Sequence, residues 1–192
     1  MARPSTLSIV RARKRELLGT LRGTVLEIGA GRGRNLPEFN RGIHWIGLEP
    51  DRRRQQRLAR TAAAHGHSGT VVSAVAEWIP LADASVAAVV STVVLCSVDD
   101  QERVLAEVRR VLRPGGSFVF VEHVAADPGT WSRRLQEAFA TCTRRIDAGC
   151  DPSRETWRTI EDAGFRDLDL RWITSRSRIF LYGRYIAGRA IA

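Results

Sequence analysis

The stretch Val25-Leu26-Glu27-Ile28-Gly29-Ala30-Gly31-Arg32-Gly33-Arg34-Asn35 decides how this chain folds. Four residues that read as a buried strand run into a glycine-rich turn opening a helix. An open α/β sheet uses that arrangement to grip an anionic or zwitterionic nucleotide ligand. Glycine suits the turn because the backbone bends sharply there and approaches the ligand with no Cβ in between. A dinucleotide fingerprint, G-x-G-x-x-G, needs glycine at position 34, where this chain has Arg34. The third glycine comes one residue early, as G-x-G-x-G, and the acid Glu27 precedes the first.

Upstream, Leu7, Val10, Leu17, Leu18 and Leu21 are interleaved with Arg11, Arg13, Lys14, Arg15 and Glu16. The spacing predicts a short amphipathic helix that covers the sheet or the ligand. Two parts follow, an N-terminal helical segment over 1–22 and a single domain over 23–192. Downstream, Pro37 and Gly42 keep the helix after the glycine turn brief. A second strand, 43–48, ends at Glu49, twenty residues after Gly29. One βαβ unit returns an acid to the carboxyl edge of the sheet at that distance, where it accepts hydrogen bonds from ribose hydroxyls. Asp51 caps a helix over 52–64, and His65-Gly66-His67-Ser68-Gly69 reads as an exposed loop, not a metal site.

A third strand is expected over 70–75. The apolar run 86–94 reads as a central parallel strand buried on both faces. Val104, Leu105, Val108, Val111 and Leu112 give one face of a helix over 101–112, capped by Asp99 or Asp100. Arg113-Pro114-Gly115-Gly116 stops that helix and turns the chain into a fifth strand, 117–121, which delivers Glu122 and His123 to the ligand edge. A helix over 131–147 forms a lid, a helix over 154–163 is capped by Ser153, and 167–173 and 178–187 alternate as antiparallel edge strands.

Composition limits the class of protein. With 192 residues, 44% apolar and 27% charged, the chain is one ordinary globular domain. Its net charge of +9 is nearly all arginine, scattered along the chain and not grouped with aromatics, which reads as a solvated basic surface more than a nucleic-acid site. No apolar run is long enough to span a bilayer, and Met1-Ala2-Arg3-Pro4-Ser5 lacks a signal-peptide core, so the expected compartment is the cytoplasm. Cys96, Cys142 and Cys150 are an odd number without C-x-x-C spacing. That argues against a disulfide framework or a zinc site, and no metal is expected.

Glu27 with its G-x-G-x-G loop, followed by Glu49, resembles the cofactor motifs of class I S-adenosylmethionine methyltransferases. The match is closest to the methyltransferase-like alkyl-thiol S-methyltransferases. The residues that carry it include Lys14-Arg15-Glu16-Leu17, Leu95-Cys96-Ser97-Val98, Gln101-Glu102-Arg103, Leu112-Arg113-Pro114-Gly115-Gly116, Glu122-His123-Val124-Ala125-Ala126, Thr130-Trp131, Gly149-Cys150 and Arg154-Glu155-Thr156-Trp157. The resemblance implies a Rossmann-like α/β sandwich with helices on both faces of a seven-stranded, mostly parallel sheet in the order 3-2-1-4-5-7-6. It implies S-adenosylmethionine as cofactor, S-adenosylhomocysteine as product and a small-molecule acceptor, a thiol. The cofactor set it implies is Glu27, Gly29, Ala30, Gly31, Gly33, Asn35, Glu49, Pro50, Ala76, Glu77, Thr92 and Leu95. Animal members carry an apolar N-terminal anchor that this chain lacks, so no stable membrane insertion is expected, although peripheral association stays open.

Methyl transfer from a sulfonium needs binding, exclusion of water and an in-line nucleophile. His123, after the fifth strand, is the candidate base or orienter for a thiol. Glu122 either fixes that imidazole or is a solvated acid; Trp78 either stacks on adenine or is core; Cys96 touches a ligand or acts as a small hydrophobe. Rival readings are an O- or C-methyltransferase of a quinone-like molecule, an arsenite methyltransferase using the three cysteines, and a cofactor-binding regulatory or nucleic-acid-binding protein.

Overall fold

A computed structural model describes residues 5–146, 149–174 and 183–192. In chain order the elements are α1 (Thr6–Gly19), β1 (Thr24–Ile28), a 3-10 turn (Leu36–Glu38), β2 (His44–Leu48), α2 (Arg52–Ala64), β3 (Ser68–Val72) and β4 (Val86–Thr92). Then follow α3 (Gln101–Val111), β5 (Leu112–His123), α4 (Trp131–Ile146), α5 (Thr156–Asp162), β6 (Asp167–Thr174) and β7 (Arg184–Ile191). The strands form one seven-stranded sheet ordered β3-β2-β1-β4-β5-β7-β6. Its first five strands run parallel, and β7 lies antiparallel between β5 and β6. The expected order and class are those observed.

Successive strand residues face opposite sides, so each central strand feeds two cores. Val25, Val119 and Val121 pack with Leu17 and Leu18 of α1 and Leu58 of α2. Leu26, Phe118 and Phe120 pack with Val104, Leu105 and Val108 of α3 and Ile160 of α5. Helices therefore cover both faces, as expected. Asp51 and Asp100 cap α2 and α3, accepting from the N–H groups of Arg53 and Arg103, and Ser5 caps α1 through Ser8.

Several local boundaries differ from those read in the sequence. β3 begins two residues early and stops at Val72, because its ladder follows β2 from His44 opposite Ser68 to Leu48 opposite Val72. β4 ends at Thr92, where Val93 takes a left-handed φ of 56° and breaks the strand. β5 is longer than expected: Leu112 already pairs with Val86, and a register shift between Val86 and Ala88 absorbs the Arg113–Gly116 turn. The glycine loop opens only the 3-10 turn, with Pro37 at its start. α5 starts at Thr156, not 154, and Ser153 does not cap it; Ser153 bonds instead to Asp151 through both its N–H and its hydroxyl. His67 is buried and its Nε2 lies 2.8 Å from the Leu36 carbonyl, so this loop histidine staples the 3-10 turn. Residues 178–182 of the last expected strand, and 147 of the expected lid helix, lie outside the described residues.

Candidate active site

The parallel strands β1, β2, β4 and β5 end at one edge, and the order reverses between β1 and β4. A crevice at that switch point is where open α/β sheets bind ligands. The glycine loop occupies it. Gly29, Gly31 and Gly33 all have φ between 57° and 75°, but the space around them differs. A Cβ on Gly33 would sit 2.5 Å from Leu36 Cδ1 and 3.1 Å from Leu58 Cδ1, so Gly33 is required by close packing of the loop on α2. A Cβ on Gly31 would meet only the Gly29 carbonyl, at 3.8 Å. The space over Gly31 is open, as a ligand cradle must be.

Glu49 stands at the end of β2 and ties this loop to the next helix. Its Oε2 accepts from the Gly31 N–H at 2.8 Å and its Oε1 from the Asp51 N–H at 3.0 Å. Each carboxylate oxygen keeps further acceptor capacity, enough for two hydroxyls. Glu49 also lines a cavity of about 280 Å³ together with Gly29, Pro50, Ala76, Glu77, Val94 and Asp99. Glu77 accepts from the Asp99 N–H at 2.9 Å, joining two walls of that cavity. Trp78 is neither core nor a cavity wall: it is 67% exposed, beneath the Arg103 guanidinium.

Glu27 lies beneath the loop, fully enclosed. Its Oε1 accepts from Asn35 Nδ2 at 2.7 Å and its Oε2 from Trp45 Nε1 at 2.9 Å. Asn35 Nδ2 also lies 2.6 Å from Thr92 Oγ1, and Asn35 Oδ1 accepts from Lys14 Nζ at 2.8 Å. Burial pushes the Glu27 carboxyl up to about 7, against the lowering effect of its two hydrogen bonds and of Lys14. Burial likewise lowers the Lys14 ammonium. A cationic ligand arriving here would draw Glu27 back to its ionised form. Sequence reasoning missed Lys14 and Trp45. Lys14 carried one signal, being the sole lysine of the chain.

Of the expected cofactor residues, Gly29, Glu49, Pro50, Ala76 and Glu77 line the cavity. Ala30, Gly31, Gly33, Asn35, Glu27 and Thr92 build the loop and the network beneath it. Leu95 differs. It is fully buried in the α3-side core and is not a cavity wall, while its carbonyl accepts from Gln101 Nε2.

At the end of β5, Glu122 is completely buried, not solvated. It accepts from Ser91 Oγ at 2.6 Å and from the Val94 N–H at 3.0 Å, which fixes the turn after β4, and burial pushes its carboxyl up to about 7. His123 Nε2 lies 2.9 Å from Cys150 Sγ, and the ring packs edge-on to Tyr185. Cys96, His123 and Cys150 place their donor atoms within 4.8 Å of one another, all buried. The absence of C-x-x-C spacing therefore did not keep cysteines apart. The bond to Cys150, burial and the charge of Glu122 push the Cys96 thiol up.

Among known proteins, the methyltransferase-domain family matches residues 26–120. Thiol S-methyltransferase TMT1A of Homo sapiens is 36% identical over 94% of this chain and 78% of that protein. Thiol S-methyltransferase TMT1B of Homo sapiens is 34% identical over 98% of this chain and 82% of that protein. Among solved structures, a SAM-dependent methyltransferase of Thermotoga maritima superposes with a TM-score of 0.68 at 26% identity, covering 97% of this chain and 89% of that one. A geranyl diphosphate methyltransferase in complex with SAM shares the fold, with a TM-score of 0.70 at 17% identity over 96% of this chain and 86% of that one. With the sheet order, the glycine cradle and Glu49 in place, these likenesses fix the assignment: the chain is a class I SAM-dependent methyltransferase and belongs to the family of the thiol S-methyltransferases TMT1A and TMT1B.

Proposed function

We propose that this enzyme methylates the sulfur of a small thiol. The single observation that carries the acceptor assignment is the 36% identity, over 94% of the chain, to a thiol S-methyltransferase. The site fits the cofactor by its own geometry: open space over Gly31, unused acceptor capacity on Glu49 and an ionisable Glu27 under the loop. When bound, S-adenosylmethionine supplies a methyl group already attached to a good leaving group.

The work of the protein is to bind, orient and exclude water. Glu49 receives the ribose hydroxyls, and the Gly29–Gly33 backbone lies under the nucleoside. Ala76, Glu77 and Asp99 line the end of the cavity that takes the base. Glu27 and Asn35, buried beneath the loop, supply negative potential for the cationic end. We read residues 1–22 as a cover segment on a single domain of 23–192, since Lys14 reaches Asn35. His123 positions the acceptor, a thiol whose ordinary pKa is about 8.5. Three cysteines, an odd number without C-x-x-C spacing, suit a reducing compartment, the cytoplasm. Among the described residues no helix is long and apolar enough to cross a membrane.

The test is a panel of small thiols, phenols and quinols incubated with S-adenosylmethionine, with S-adenosylhomocysteine and methylated product measured together. Stoichiometric thioether formation is the expected result. Methylation of phenols or quinols with thiols untouched would replace the reading with O-methylation.

A further inference from the structure

Three separate features of the fold drive Cys96, His123 and Cys150 together. Cys96 lies just past β4, and His123 ends β5; the two strands are neighbours, with Thr92 opposite Val121. Cys150 arrives on the segment after α4. The Asp151 N–H donates to the Cys96 carbonyl at 2.9 Å, and Arg154 Nη1 donates to the Val98 carbonyl at 2.6 Å, so that segment is clamped on the loop that carries Cys96. The side chains of Cys96, His123 and Cys150 are 0%, 2% and 3% exposed. Their donor atoms lie within 4.8 Å of one another. Sulfur and imidazole ligands of one tetrahedral zinc sit roughly 3.5 to 3.8 Å apart, given metal bonds of about 2.3 and 2.0 Å. Modest rotation about the side-chain bonds covers the difference.

From this juxtaposition we propose that Cys96, His123 and Cys150 hold one zinc ion whose fourth position takes the sulfur of the acceptor thiol. The proposal rests on the thiol reading above. Among the described residues the cluster offers three protein ligands with one place left over, the pattern of catalytic zinc, whereas structural sites are closed by four. Val94 and Ser97, on either side of Cys96 in the chain, line the cofactor cavity, so the loop that carries Cys96 is itself part of that cavity's wall. A thiol that coordinates zinc gives up its proton to solvent. Its sulfur then forms a bond to the methyl carbon as the sulfonium carbon–sulfur bond breaks, and the electron pair leaves on the homocysteine sulfur. The neutral thioether is a poorer ligand and departs. The net products are thioether, S-adenosylhomocysteine and one proton.

The experiment loads the reduced full-length enzyme with zinc for metal analysis, and with cobalt(II) for absorption spectroscopy. The expected result is one equivalent of metal per chain and thiolate-to-cobalt charge-transfer bands. Those bands vanish in Cys96→Ser and Cys150→Ser, checked for folding by circular dichroism, and persist in Cys142→Ser, whose thiol is exposed on α4. A small alkyl thiol then shifts the ligand-field bands of the wild-type protein. Wild-type enzyme that takes up no stoichiometric metal overturns the site, whatever the variants do. Bound cobalt whose spectrum ignores the thiol overturns the open position. Metal-free enzyme that methylates thiols at the wild-type rate removes zinc from the reaction and leaves the proposed function intact. Full metal uptake with no thiol turnover in any sample sinks S-methylation instead, and the cobalt bands tell that failure from failure of the site.

Discussion

Glu49 makes two backbone bonds with one carboxylate and still offers acceptors to a diol, so its removal harms the loop and the ligand together. Glu49→Ala is expected to weaken binding of S-adenosylhomocysteine by roughly 10- to 100-fold, the equivalent of about one charged hydrogen bond. Calorimetric titration checks it. Glu27 yields a prediction about pH. Its folded value near 7 lies above the ordinary 4.5, so the folded, cofactor-free protein binds this proton more tightly than the unfolded chain. The stabilisation is complete below about pH 4.5 and is lost as pH rises through 7, an effect on the order of 3 kcal/mol. Urea unfolding between pH 5 and 8 should show that decline in the wild type and a flatter profile in Glu27→Gln. A cationic ligand reverses the preference, so cofactor binding at pH 6.5 should release a proton, read from the dependence of binding heat on buffer.

At the scale of elements, the glycine loop separates folding from binding. Gly33→Ala forces a Cβ into Leu36 and Leu58, and we expect a loss of about 2 to 4 kcal/mol in unfolding free energy from overpacking and the left-handed φ together. Gly31→Ala suffers only the backbone strain, about 1 kcal/mol, but places a methyl in the cradle. It should remain folded and lose most of its cofactor affinity, a contrast that paired melting and titration experiments resolve. This loop was legible in the sequence because its requirements are local: turn glycines and an acid one βαβ unit downstream. The extent of β5 was not, since Leu112 joins the sheet through Val86 and not through its own neighbours. The site was legible to the same degree. Glu49 and the glycines follow from spacing, but Trp45 meets Glu27 across 18 residues, Lys14 meets Asn35 across 21 and Cys150 meets His123 across 27. No local period encodes such meetings; the crossing of the strands makes them.

For the whole molecule, ligand and fold are linked through the edge of the sheet, because the cradle exists only when β1, β2 and β4 are assembled. Cofactor at 100 times its dissociation constant adds about 2.7 kcal/mol of stability, which for a chain of this size raises the melting temperature by about 5 to 10 °C. Differential scanning measurements with S-adenosylhomocysteine check the shift, and Glu49→Ala should cut it to about half or less at the same concentration. The arginine bias of the chain has a practical sequel at Lys14. With one ε-amine in the entire sequence, half-sheltered and softened toward its neutral form, an amine-reactive ester has a single side-chain target, and it touches the cofactor loop. Acylation of that nitrogen, followed by mass spectrometry, thus becomes a footprint of cofactor loading written at one address.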